Sequence, residues 1–238
     1  MRRETQNILL VLLGGALLKI SFTGTYLRYV KPSHKWLLIA GGIVMILLAA
    51  VSIVREIRGA RDTDGHGHSH PARSAWLLIL PVLAVFLVGP PALGSDSVAR
   101  ADGNAQAAPS TEGEGSELFP PLPKGDVIAL QLSEFSSRAA WDKGHSLDNR
   151  RTRLVGFIVQ EGGDTYVARL AIACCAADAF PVKIKLLGEK LSNLPDDSWI
   201  EVDVTLQPGS ATRANEYVPS ATAHAMRRIP QPEDPYEH

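Results

Sequence analysis

Two cysteines stand side by side in "ARLAIACCAADAF", residues 168–180, and they are the only two thiols in a chain of 238 residues. Three residues past the second comes a carboxylate, so Cys174, Cys175 and Asp178 form a short run of sulfur and oxygen donors. Thiolate sulfur beside a carboxylate suits a borderline-soft cation, zinc or a similar ion. An imidazole would complete such a set, and His145 and His224 are the candidates. A second group of donors lies in "RDTDGHGHSHPARS", where His66, His68 and His70 alternate with small residues. A loop of that composition is flexible and offers three imidazoles to a metal, but ordering it costs entropy, so the site is weak unless a partner adds ligands.

Adjacent side chains of a β-strand point to opposite faces, so the two thiols can share one ligand only where the strand ends or bulges. "CCAADAFP" predicts such an ending: alanines that favour a helical turn, then Asp178, then Pro181. Three readings of the pair stay open. It holds metal; it closes a vicinal disulfide, whose tight ring is strained and easily reduced; or at least one of its members is simply a small buried apolar residue. The C-x-x-C spacing of zinc ribbons and thioredoxin-like sites is missing. A lipid anchor does not fit a position so far from the apolar segments. With no G-x-S-x-G, H-E-x-x-H or phosphate-cradling glycine loop, the expectation is that the chain is not an enzyme.

The elements that position these residues can be read from periodicity. "LSEFSSRAAWD" places Leu132, Phe135, Ala139 and Ala140 on one helical face. Five strand-like runs come after it: "RTRLVGFIVQE", "TYVARLAIAC", "AFPVKIKLL", "WIEVDVTLQ" and "YVPSATAHAMRRI". "EGGD" joins the first two as a hairpin, and Gly156 falls inside the first strand where a bend is expected. "GEKLSNLPDDS" leaves room for one short helix between the third and fourth. That order predicts a mainly β domain at 125–238, an OB-like small barrel. Residues 96–124, rich in Ala, Gly, Ser, Pro and Glu, read as a flexible linker.

The first 95 residues are of another kind. Apolar stretches at about 8–30, 36–54 and 76–93 predict a helical region of three membrane spans, with the His-rich loop at 61–72 between the second and third. Lys19 interrupts the first stretch, and its charge has to snorkel or face a partner. Arg2, Arg3, Arg55, Arg58, Arg61 and Arg73 outnumber Arg28, Lys31, Lys35 and Arg100 across the membrane. By the positive-inside rule the N-terminus is cytoplasmic and the C-terminal domain extracytoplasmic. With 24 basic against 25 acidic residues and no basic cluster, no nucleic-acid partner is expected.

Taken together, "GTYLRYVKP" after the first apolar stretch, the His-rich loop, "RLAIACCAADA" and the ending "IPQPEDPY" resemble the YcgQ-like family of bacterial membrane proteins. The resemblance implies a multi-pass plasma-membrane protein that serves as one subunit of a two-component permease complex. Its other subunit is a larger polytopic permease, and a link to zinc homeostasis is implied. His238 departs from the family pattern, which has Tyr at that place.

Overall fold

The computed structural model describes residues 3–59, 83, 87, 89–101, 119–188 and 194–238. The chain divides into two compact units, Met1–Pro91 and Ala92–His238.

In the first unit, helix α1 spans Arg3–Phe22 and helix α2 spans Lys35–Gly59. They pack at the level of their backbones. A Cβ on Gly14 would lie 2.9 Å from the Gly42 carbonyl oxygen, and one on Gly42 would lie 2.9 Å from Leu18 Cγ, so glycine is what permits this approach. Asn7, Ser21 and Ala49 are buried, and the Ser21 hydroxyl donates to the Leu17 carbonyl at 2.7 Å. Lys19 is exposed.

The expectation of three spans does not hold. Among the described residues one helix is long and apolar enough to cross a membrane, Pro32–Arg58. The first apolar stretch does not continue to residue 30, because α1 stops at Phe22 and Gly24 turns the chain with φ 78° into a short 3-10 turn, Thr25–Arg28. Its apolar part, Gln6–Phe22, has 17 residues or fewer. That gives a length of roughly 25 Å at most at 1.5 Å per residue, short of the hydrocarbon thickness of about 30 Å. Most of residues 76–93 lies outside the described residues, as does the whole loop 61–72, and residues 89–94 are not helical.

The second unit is mainly β. Its elements are helix α3 (Ser95–Arg100), strand β1 (Val127–Ala129), helix α4 (Leu132–Trp141), and strands β2 (Arg151–Glu161), β3 (Asp164–Ala171), β4 (Phe180–Leu187), β5 (Trp199–Leu206), β6 (Ser220–Arg228) and β7 (Tyr236–Glu237). The β2–β3 hairpin pairs Glu161 with Asp164 across Gly162 and Gly163, both at positive φ, the two-residue connection that matches strand twist.

The five-stranded OB-like barrel is corrected as well, since the strands form one seven-stranded mixed sheet ordered β1-β2-β5-β6-β4-β3-β7, with an additional β2–β3 pairing. Three of its pairings are parallel: β1–β2, β4–β6 and β3–β7. The two short strands β1 and β7 escape a period-based reading because two or three residues carry no alternation. Gly156 marks the place where β2 changes partner, from β5 through Phe157 to β3 from Phe157 onward. A Cβ there would sit 2.5 Å from the Ala168 carbonyl oxygen.

Both sides of β2 and β3 are covered. Leu154, Ile158 and Val167 join a core with Leu132 and Phe135 of α4, while Phe157, Val159 and Leu170 meet Val98 of α3 and Tyr236 of β7. The face of β2, β5 and β6 that carries Arg153, Glu201, Asp203 and Arg227 is ionic instead: Arg153 pairs with Asp203 at 2.7 and 3.0 Å, and Arg227 with Glu201 at 2.8 and 3.0 Å.

Candidate metal centre

Strand β3 ends at Ala171, before the cysteines, so the strand reading of "TYVARLAIAC" runs three residues too far. Beyond Ala171 the chain forms a turn organised by one carboxylate. Asp178 accepts the amide of Ala173 on Oδ1 at 3.0 Å, and the amides of Cys174 and Cys175 on Oδ2 at 2.9 and 3.4 Å. Its own amide donates to the Cys175 carbonyl at 3.0 Å, closing a single 3-10 turn over Ala176–Asp178. Pro181 does not end the chain's extension; it sits inside β4 opposite Leu170.

The turn defeats strand alternation. Cys174 Sγ and Cys175 Sγ lie 3.6 Å apart, both free, with Cys174 exposed and Cys175 half-buried. Reading them as core residues therefore fails on position. Ligand atoms of Cys174, Cys175 and Asp178 all fall within 4.8 Å of one another, and among the described residues no other such group of three occurs.

The carboxylate and the thiols of the turn work against one another's ionisation. The Cys174 thiol is pushed up to about 12, first by the Asp178 carboxylate beside it and then by Cys175. Asp178 is held below the usual carboxylate range, first by the Cys174 thiol and, with the opposing effect of desolvation, by the backbone amides it accepts. A thiolate next to a carboxylate and a second sulfur is disfavoured by like charge, and a divalent cation among the three removes that penalty.

The other candidate imidazoles are elsewhere. His145 comes after α4 at φ 50°, with Nδ1 3.9 Å from Asp148 Oδ2. His224 lies on β6, with Nε2 2.8 Å from Thr205 Oγ1. Neither joins the cysteine group. His66, His68 and His70 lie outside the described residues.

What surrounds the turn is not legible in the local sequence. The amide of Ile172 donates to the Glu237 carbonyl at 2.9 Å, so β7 runs directly alongside the chain entering the cysteines. Glu237 is itself buried, and its carboxylate accepts the amides of Leu132 at 2.7 Å and Ser133 at 2.9 Å. It caps α4 from more than a hundred residues away, since Gln131 at the N-cap makes no side-chain bond to the helix. The Arg169 guanidinium binds the carbonyls of Asp234, Pro235 and Tyr236. The signal was present in "IPQPEDPY", a proline-rich ending too polar for a helix and too short for a patterned strand.

The second unit is therefore a mixed β module that displays a vicinal dithiol turn, carried on a chain whose first unit includes one apolar helix of membrane length. The chain belongs to the DUF1980 family: residues 5–104 match the DUF1980 N-terminal domain and residues 142–238 the DUF1980 C-terminal domain. No curated protein and no solved structure is matched by the chain.

Proposed function

We propose that this protein is a membrane-attached binder of a soft divalent cation, zinc first among them, and that Cys174 and Cys175 are its primary ligands. The observation that carries this reading is the sulfur separation. Two thiolates on a tetrahedral zinc at bonds of about 2.3 Å are about 3.8 Å apart, and the two Sγ atoms already stand at 3.6 Å. Asp178 has two roles open to it, as the clamp of the turn and as an oxygen donor once a cation replaces the thiol proton. Binding releases protons from both cysteines, so affinity rises with pH.

The apolar helix Pro32–Arg58 supports attachment to a bilayer. The YcgQ-like resemblance adds the larger reading, in which the protein is an accessory subunit that offers metal to a polytopic permease in a bacterial plasma membrane. The alternative of an interaction module with structural cysteines is disfavoured by the exposure of Cys174.

Purified full-length protein in mild detergent is expected to bind close to one equivalent of zinc under reducing conditions, and the Cys174→Ser, Cys175→Ser double variant to bind none. Wild-type protein that takes up no zinc would sink the metal reading. Copurification of the tagged chain from native membranes, with a polytopic partner identified by mass spectrometry, tests the permease reading separately.

A further inference from the structure

Cys174, Cys175 and Asp178 give three donors, and the carboxylate is already engaged by three amides. We infer that His238 supplies the imidazole ligand of this site, through Nδ1, and that Asp234 orients it. The inference rests on the metal reading above and adds a residue that lies 63 positions from Cys175 in sequence.

The backbone register brings the residue there. Strands β3 and β7 run parallel, with Leu170 beside Tyr236 and Ala171 beside Glu237. The next step along both strands is the Ile172 amide on the Glu237 carbonyl, at 2.9 Å. That bond sets His238, the residue after β7, opposite Ile172, two residues before Cys174.

The imidazole is already prepared for the role. Its side chain is only 19% exposed, and Nε2 lies 2.8 Å from Asp234 Oδ2. An ionised carboxylate can only accept, so Nε2 carries the proton and Nδ1 keeps its lone pair in the neutral ring. A ligating histidine commonly donates its other ring nitrogen to a carboxylate in this way, which fixes both tautomer and ring orientation. Asp234 is held in turn: its Oδ1 accepts the Tyr236 amide at 3.3 Å and its carbonyl accepts Arg169 Nη2 at 2.8 Å. As it stands, His238 is turned onto Asp234 and is not part of the close cysteine group. Metal binding has to draw the imidazole from that place onto the sulfurs.

Cobalt(II) titration of the full chain in detergent tests this, because sulfur-to-metal charge transfer reports the thiolates and the ligand-field bands report the rest of the set. His238→Ala is expected to keep the charge-transfer bands, alter the ligand-field bands and weaken cobalt binding more than Asp234→Asn does, the loss of the orienting carboxylate costing ~10–100-fold. His238→Cys, which returns a donor, is expected to recover most of the affinity. Thermal melts that superpose on wild type separate loss of a ligand from loss of fold. His238→Ala with wild-type affinity and an unchanged spectrum overturns the assignment of His238 while leaving the cysteine reading intact. Absence of charge-transfer bands in the wild type removes both.

Discussion

Asp178 shapes the thiol chemistry as much as the cysteines do. Its carboxylate gathers three amides into the turn and at the same time keeps Cys174 protonated, with the thiol pushed up to about 12. Alkylation needs the thiolate, so Cys174 in metal-free protein should react with iodoacetamide at about pH 8 at least ~10-fold more slowly than free cysteine. Asp178→Asn removes the largest cause of the shift and is expected to speed that reaction; peptide mass spectrometry of timed samples gives both rates. Zinc added first should protect Cys174 in the wild type. An unaltered rate in Asp178→Asn would mean that the carboxylate does not control the thiol. The three donor residues were legible in the sequence as a set, because their types and spacing are local. That the sulfurs face one another was not, because it depends on β3 stopping at Ala171.

At the scale of elements, the last strand fixes the first helix of the β unit's sheet-forming part. Glu237 replaces the missing N-cap of α4 with two short bonds from a buried position. Glu237→Ala leaves two helix amides without that acceptor and is expected to lower stability by about 1–3 kcal/mol, read as a shift of the denaturant midpoint. Glu237→Gln should fall between the two, since its amide oxygen still accepts one bond. Gly156→Ala tests a different element. Its methyl would press on the Ala168 carbonyl where β2 passes from β5 to β3, and overpacking of this kind costs about 1–3 kcal/mol. If that variant melts with the wild type, the close approach is not a constraint. The long runs 151–161, 180–187 and 199–206 could be read from β-branched and apolar content, whereas β1 and β7 exist only through their partners.

For the whole molecule, acidity is the condition that loosens the β unit. Glu201 is held below the usual carboxylate range by its bond with Arg227, and Asp203 by its bond with Arg153. Carboxylates with depressed folded-state values bind fewer protons folded than unfolded, so stability rises with pH across that window. Their contribution is present above about pH 4–4.5, the ordinary range for these groups, and is lost as pH falls through the lower folded values. The melting temperature monitored by tryptophan fluorescence is expected to drop from about pH 5 to about pH 3, and Glu201→Gln to flatten that slope. A slope identical to wild type would place the acid sensitivity elsewhere. In the helical unit, Gly42→Leu should separate α1 from α2, because the added side chain meets Leu18 and the Gly14 carbonyl; a fall in membrane-extracted full-length protein would record it.

Composition and periodicity carry the division into an apolar helical part and a mainly β part, the strands long enough to show a pattern, and the donor types at Cys174, Cys175 and Asp178. Those features are local: composition, periodicity and spacing act within a few residues. The length of the one described helix that could cross a membrane, the seven strands of the sheet, and the placing of Glu237 at α4 and of β7 beside the chain entering the dithiol turn come from tertiary packing. Residues 132 and 237 meet because parallel pairing of β3 with β7 carries the chain end across the unit. A contact of that span is set by burial and backbone pairing throughout the sheet, and no short stretch of sequence encodes it.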